Sequence, residues 1–116
     1  MNKEVEKRAL KDFVNIDFYI AGVKFHQYED IKDEIAFDDE LILERDPTNK
    51  FDKYAVKILY EDKMLGFVPA KTGASVIVAR ALDSGTDLVT TVVENNVDKE
   101  YWKALKVWIR NKDRGR

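Results

Sequence analysis

Residues 55–69 read AVKILYEDKMLGFVP and contain two short apolar runs separated by Glu61-Asp62-Lys63. Two apolar runs at this separation predict a β-hairpin with a loop of three or four residues. Pro69 has no backbone N–H to donate, so we expect the second strand of the hairpin to end there. The hairpin indicates that the sheet is built from antiparallel neighbours.

Further strand patterns lie on both sides of this hairpin. Residues 14–21 alternate apolar and polar side chains, and residues 40–45 read ELILER. Residues 88–94 and 101–109 predict two more strands joined by a turn at 95–98. Helical spacing occurs at residues 1–13, at residues 30–37, capped by Asp30, and at residues 71–84, ended by Gly85.

These elements predict an α+β fold that is mainly β. We expect a small curled antiparallel sheet or OB-like barrel of about six strands, with one or two helices packed outside. The domain should span residues 14–110, preceded by a helical arm at 1–13 and followed by a basic tail at 111–116. A chain of 116 residues with 45% apolar side chains suffices for one such core.

The composition argues against several classes of protein. There is no cysteine and only one histidine, so we expect neither disulfides, nor a metal, nor another cofactor. The apolar runs fall far short of the roughly 20 residues that span a bilayer, and the start MNKEVEKRAL lacks a signal peptide's apolar core. We therefore expect a cytoplasmic protein without a membrane partner; the oligomeric state is left open.

Charge is distributed unevenly along a chain whose net charge is only −2. Residues 99–116 hold seven Lys or Arg against two acidic residues, whereas the first 98 hold 13 basic and 20 acidic residues. A basic C-terminal face would suit contact with phosphates, without selectivity for sequence. The alternative is that the tail is simply solvated.

The loop RDPTNKFDKYAVKI, residues 45–58, sets charged and aromatic side chains between two apolar strands. Together with LGFVP at 65–69, it resembles the HIRAN pattern: an Arg, an Asn, an aromatic, an Asp, then an Ala-aliphatic-Lys-aliphatic strand. FYIAGVKF, residues 18–25, is similar to the first strand of that family. The resemblance covers about residues 15–109.

The resemblance implies a modified OB-like barrel that, in fork-remodelling DNA translocases, grips the 3′-hydroxyl end of single-stranded DNA. Phe25 and Phe51 match the aromatic residues that sandwich the terminal base. Asp52 matches the carboxylate that accepts the 3′-hydroxyl hydrogen bond, Lys24 a basic phosphate contact, and Asn49 a polar residue of the same loop.

The chain departs from the family at several of these positions. Phenylalanine replaces tyrosine at both stacking positions, Lys50 replaces a proline, Tyr54 an asparagine and Phe67 a histidine. Tyr101 opens the predicted last strand and suits a further stacking position. The predicted nucleic-acid-binding residues are Lys24, Phe25, Asn49, Phe51, Asp52, Tyr54, Phe67 and Tyr101.

Structural roles compete with these functional ones. Phe25 and Phe51 are alternatively core residues, and Asp52 alternatively caps its own loop through the backbone. Arg45 is expected to form an ion pair or brace the loop rather than bind phosphate.

No catalytic motif is present, so we expect a binding module and not an enzyme. The predicted role is DNA repair or replication-fork processing, with catalysis supplied by a separately encoded helicase or nuclease. The alternative function is a protein-interaction adaptor that binds an extended peptide in the same groove.

Overall fold

Six strands are the main regular elements of the computed structural model, which describes residues 13–112. The strands are β1 (Asn15–Tyr19), β2 (Glu40–Arg45), β3 (Val56–Tyr60), β4 (Lys63–Phe67), β5 (Leu88–Asn95) and β6 (Leu105–Asn111). The helices are α1 (Tyr28–Ile31) and α2 (Ala74–Asp83), and short 3-10 helices occur at Val23–Phe25, Lys32–Glu34 and Tyr101–Lys103.

All neighbouring strands pair antiparallel, in the order β1-β6-β5-β2-β3-β4. The predicted mainly β fold of six antiparallel strands is therefore confirmed, and the sheet curls into a half-barrel. The hairpin of β3 and β4, from which the fold was predicted, lies at one edge of the sheet, and β1 lies at the other.

A two-residue bridge joins these two edges. The N–H of Ala21, just after β1, donates to the carbonyl oxygen of Phe67 at 2.9 Å, and the N–H of Phe67 donates to the carbonyl oxygen of Ala21 at 2.8 Å. Because Phe67 is the last residue of β4, this bridge brings the first and last strands of the sheet order together. The curl of the sheet thus depends on a very close approach of two backbones.

Gly66 permits that approach because it has no side chain. A Cβ at this position would overlap the carbonyl oxygen of Ala21 and lie 2.6 Å from Cγ2 of Ile20. Ile20 is itself buried, so it has little room to move away. Glycine at position 66 is therefore required by the bridge.

The concave side of the sheet holds the core. Alternate residues of β3 and β6 point into it, among them Val56, Ile58, Val107 and Ile109, all fully buried. The helix α2 covers this core with Val78 and Ala79, also fully buried. Apolar burial of this kind contributes about 25 cal/mol per Å².

Several predicted boundaries are wrong, among them the starts of the first helix and of the last strand. The first helix begins at Tyr28, not after Asp30, because Gln27 is bound to β4. The N–H of Gln27 donates to the Met64 carbonyl, and the Gln27 side chain accepts from the Met64 N–H, both at 2.9 Å. The last strand begins at Leu105, not at Tyr101, because residues 101–103 turn as a 3-10 helix first.

The second helix also begins later than predicted and ends as predicted. It starts at Ala74 instead of residue 71. At its end, the N–H of Gly85 donates to the carbonyl of Leu82 and that of Thr86 to Ala81, both at 3.0 Å. This pair of bonds is the Schellman arrangement that closes many helices.

Part of the predicted organisation lies outside the described residues. The helical arm was predicted over residues 1–13, of which 1–12 are not described, and the basic tail over 111–116, of which 113–116 are not described. Within residues 13–112, no helix combines the length and the apolar character that crossing a membrane requires.

We predict that Gly66→Ala lowers the free energy of unfolding by about 2 to 3 kcal/mol, because the added Cβ overpacks the bridge. Gly73→Ala is the matched control: Gly73 has a φ of 80° but open space around it, so it should cost only about 1 kcal/mol. Urea denaturation measures both. Equal losses in the two variants would contradict a special role for the bridge.

Candidate nucleic-acid interface

Two adjoining cavities flank the bridge between Ala21 and Phe67. The larger, about 560 Å³, is lined by Tyr19, Ile20, Ala21, Gly22, Val23, Lys24, Phe25, Pro69, Ala70, Lys71, Tyr101 and Trp102. The smaller, about 230 Å³, is lined by Ala21, Asn49, Phe51, Asp52, Ala55, Phe67, Val68 and Ala70. Ala21 and Ala70 line both cavities, so the two cavities are adjacent, and together we call them the bridge groove.

Gly22 turns the chain so that Lys24 and Phe25 reach this groove. With a φ of 73°, Gly22 adopts a left-handed conformation that side-chain-bearing residues rarely take, and the 3-10 helix Val23–Phe25 comes directly after it. Val23 is buried and anchors the turn, whereas the ring of Phe25 is 77% exposed. The ammonium of Lys24 lies 5.7 Å from the centroid of that ring.

Asn49 shapes the opposite lip of the groove. Its Oδ1 accepts hydrogen bonds from the N–H of Phe51 at 2.9 Å and of Asp52 at 3.1 Å, and its Nδ2 donates to Asp46 at 3.1 Å. These bonds fix the backbone and hold Phe51 outward, where its side chain is 96% exposed. Phe25 and Phe51 are therefore not core residues, and that alternative is wrong for both.

Asp52 does brace its loop, as the structural alternative predicted. Its Oδ1 accepts a hydrogen bond from the N–H of Tyr54 at 2.9 Å, and its carbonyl oxygen accepts from the N–H of Ala55 at 3.0 Å. Within residues 13–112, however, Oδ2 of Asp52 has no hydrogen-bond partner. One carboxylate oxygen is thus used by the loop while the other remains open at the smaller cavity.

Arg45 secures the far end of the same loop. Its guanidinium donates to both carboxylate oxygens of Asp83 in α2, at 2.9 and 3.3 Å. It also donates to the carbonyl oxygens of Ala55 at 2.8 Å and Lys53 at 3.1 Å. The predicted role of Arg45 as an ion-pairing brace agrees with these contacts, although its partner is Asp83 and not a neighbour in sequence.

The positive and negative side chains of the bridge groove line different cavities. No acidic residue lines the larger cavity, which contains Lys24 and Lys71. Neither lysine has a carboxylate partner in the part of the chain that the structure describes. The smaller cavity contains one charged residue, Asp52. The larger cavity is thus positively charged and lies beside a single carboxylate, although the chain has 22 acidic residues.

Phe67 and Tyr101 also line the groove. Phe67 meets the ring of His26 edge to face, with centroids 5.7 Å apart, in addition to forming the bridge. The hydroxyl of Tyr101 donates to Glu29 at 3.0 Å, and this hydrogen bond to a carboxylate raises the pKa of Tyr101. The tyrosine ring is therefore held in place by α1 while one side faces the larger cavity.

Tyr54 lines neither cavity. Its ring packs against the core beside Lys53 and Arg80. Of the eight residues predicted from sequence, the other seven line the bridge groove, whereas Tyr54 lies outside it.

Sequence reasoning overlooked two lining residues, Tyr19 and Lys71. Tyr19 belongs to the polar face of β1, where its hydroxyl donates to Glu94 at 2.9 Å. The helical spacing predicted a helix from residue 71, but Lys71 precedes α2 and lies in the connection from β4. The position of Lys71 directly after Pro69 and Ala70 was the one sequence feature that could have indicated its exposure, because a proline ends the strand before it.

Metal coordination has no support in this groove. Among residues 13–112, no three His, Asp or Glu side chains are grouped so that they could hold a metal ion.

Comparisons with known proteins identify a sequence family and two solved structures of similar fold. The sequence model of the HIRAN domain matches residues 13–112. A crystal structure of a protein from Lactobacillus plantarum superposes with a TM-score of 0.71 at 14% identity, covering 85% of this chain and 96% of that one. The HIRAN domain of human HLTF superposes with a TM-score of 0.59 at 16% identity, covering 85% and 77%. No curated protein matches the sequence.

We predict that Arg45→Lys lowers the free energy of unfolding by about 1 to 2 kcal/mol, because lysine cannot reproduce the fork that binds Asp83 and two carbonyls. Lys57→Ala is the control: it removes a half-exposed pair with Glu44 at 3.6 Å and should cost less than about 1 kcal/mol. Hydrogen exchange of the Asp46 amide, bonded to the Ala55 carbonyl, reports on the loop itself. Unchanged exchange in Arg45→Lys would contradict the bracing role.

Proposed function

The chain belongs to the HIRAN domain family of nucleic-acid-binding modules, and from that premise we propose that it grips the 3′-hydroxyl end of single-stranded DNA in the bridge groove. One observation carries the proposal. Among residues 13–112, the larger cavity combines exposed aromatic rings with two lysines that have no carboxylate partner and with no acidic residue, and it adjoins a cavity whose one charged residue is Asp52.

The aromatic rings would supply most of the affinity. Phe25 and Phe51 are exposed before any ligand binds, so a base can stack on them without moving the core. Stacking of a base on an aromatic side chain contributes about 1 to 3 kcal/mol and tolerates any base. The site is therefore suited to a single strand, whose bases are free, and not to a paired duplex.

The lysines would hold the phosphates of the same strand. Lys24 and Lys71 line one cavity and have no carboxylate competing for them among the described residues. Binding a phosphate releases condensed counterions, so each such contact makes the affinity fall as salt rises. This contribution is independent of base sequence.

Asp52 would distinguish an end from the middle of a strand. Its open Oδ2 is an acceptor, and a terminal hydroxyl is a donor that an internal phosphodiester lacks. A continuing phosphate at that position would be repelled by the carboxylate. Because Oδ1 is fixed by the N–H of Tyr54, the acceptor is already oriented before the ligand arrives.

The role we propose is that of a guide for other enzymes in DNA repair or replication-fork processing. The HIRAN domain is a binding domain, so a separately encoded helicase or nuclease would perform the chemistry. An extended peptide in the same groove is the competing occupant. Salt separates the two, because peptide docking on aromatic rings changes little between low and high salt whereas phosphate binding weakens steeply.

We predict that Phe25→Ala or Phe51→Ala weakens binding of every single-stranded oligonucleotide by about 1 to 3 kcal/mol. Phe37→Ala is the matched control, since Phe37 is 76% exposed, like Phe25 at 77%, but lines neither cavity. Fluorescence anisotropy measures all three. A loss in Phe37→Ala as large as in the other two would place the binding surface elsewhere.

We predict that Asp52→Ala weakens 3′-hydroxyl oligonucleotides by about 1.5 to 3 kcal/mol and leaves 3′-phosphorylated ones unchanged or tighter. Asp52→Asn keeps an oxygen for the N–H of Tyr54, so it should retain stability while losing the charge that repels phosphate. Anisotropy and melting temperature are measured on the same samples. If Asp52→Ala lowers stability and weakens both oligonucleotides equally, Asp52 acts only on the loop.

A further inference from the structure

Three side chains just beyond Asp52 form a cationic group outside the bridge groove: Lys53, Tyr54 and Arg80, here called the Tyr54 cluster. The ammonium of Lys53 lies 5.2 Å from the centroid of the Tyr54 ring, and Cζ of Arg80 lies 6.0 Å from it. The ring packs against the core, so its position is fixed. The Tyr54 ring therefore has a fixed position, and two positively charged side chains lie next to it.

The backbone beneath the cluster is held in place. The N–H of Tyr54 is bound by Asp52, and the carbonyl of Lys53 accepts a hydrogen bond from Arg45. Arg80 projects from α2, one turn before Asp83, which is also bound to Arg45. One network thus ties together the loop and the helix that carry the cluster.

The two cations of the cluster have no acidic partner within residues 13–112. The carboxylate nearest in sequence to Arg80, Asp83, is engaged by both oxygens with Arg45. Arg80 and Lys53 instead act on the phenol, and together they lower the pKa of Tyr54, with Arg80 as the larger cause. An excess of positive charge around a hydroxyl of fixed position favours the binding of an anion.

The donor types favour phosphate over other anions. A guanidinium offers a planar fork of N–H groups, an ammonium offers a point charge, and a phenol offers one O–H donor. A phosphate with several oxygens and up to two charges can use all three, and charge-assisted bonds of this kind are the strong ones. We propose that Lys53, Tyr54 and Arg80 form a phosphate-binding site that takes the 5′-phosphate of a second DNA strand next to the bound 3′ end.

The assignment to a second strand rests on the proposed function of the bridge groove. A strand that terminates at Asp52 does not continue beyond it, because that carboxylate repels a further phosphate. Tyr54 lies two residues after Asp52 and outside both cavities. A phosphate at the Tyr54 cluster therefore belongs to another strand, and the ligand is an unpaired 3′ end beside a neighbouring 5′ end.

The test uses the full chain and two DNA substrates. Each is a duplex with an unpaired 3′-hydroxyl flap facing a neighbouring strand that begins with either a 5′-phosphate or a 5′-hydroxyl. We expect the 5′-phosphate form to bind about three- to tenfold more tightly. Arg80→Gln and Lys53→Gln should abolish this preference and keep the affinity for a plain 3′-hydroxyl single strand. Equal binding of the two substrates by the unaltered chain would overturn the proposal.

Lys63→Gln controls for the change in net charge. Lys63 begins β4, pairs with Asp62 at 3.2 Å and lies outside the cluster. It should keep the preference for the 5′-phosphate, and a loss equal to that of Arg80→Gln would overturn the site by showing a general charge effect.

A titration with inorganic phosphate, monitored by NMR, separates this proposal from the proposed function. Resonances of the Tyr54 ring and the Arg80 Nε–H should shift in the unaltered chain, and the Tyr54 shift should vanish in Arg80→Gln. If no oligonucleotide binds at all, the proposed function fails and this titration alone decides the phosphate site: a shift at the cluster supports it, and no shift overturns it.

Discussion

The reciprocal hydrogen bonds between Ala21 and Phe67 are the constraint on which the rest of the structure depends. They join Ala21, two residues after the first strand, to the last residue of β4, which lies at the opposite edge of the sheet order. Ala21 lies between the two cavities and belongs to both, so the bond that curls the sheet also positions the groove. A small side chain there and a glycine at position 66 keep that junction narrow.

The candidate site is built from two loops of opposite design. The turn after Gly22 is short and places an exposed ring and a lysine on a buried valine. The loop from Asp46 to Ala55 is longer, and it is held by an asparagine at one end and an arginine at the other. Neither lip depends on apolar packing of its exposed ring. The rings are therefore available to a ligand, at the expense of apolar surface left in water.

Asp52 is placed to serve both the structure of its loop and the proposed recognition of a strand end. Its two carboxylate oxygens are not equivalent: Oδ1 accepts a hydrogen bond from the backbone, Oδ2 has no hydrogen-bond partner among residues 13–112, and the residue lines the smaller cavity. The structural and functional interpretations of this residue are thus compatible. Phe67 likewise has two roles, because its backbone forms the bridge and the residue also lines the groove.

Much of the fold could be predicted from local patterns, because period-two alternation and turn residues are properties of short segments. The range of β2 and the antiparallel hairpin of β3 and β4 were predictable in this way. The starts of α1 and β6 were not, since Gln27 is fixed by its contacts with distant β4 and residues 101–103 form a turn before the strand.

The residues of the candidate site were likewise predictable only in part. Loop residues near the family motif were found, but Tyr19 and Lys71 reach the groove only through the curl of the sheet, which no local pattern encodes. The position of Tyr54 outside the groove was not predictable from local patterns either, because its side chain packs against the core near Arg80 on α2.

Backbone amide shifts, mapped during titration with a short 3′-hydroxyl single strand, test the proposal that the bridge groove receives a strand end. We expect shifts concentrated at residues 21–25, 49–52 and 67–71 and in the 101–103 turn, with the outer face around Trp108 unchanged. Shifts centred on Trp108, or spread evenly over the lysines of the surface, would contradict it.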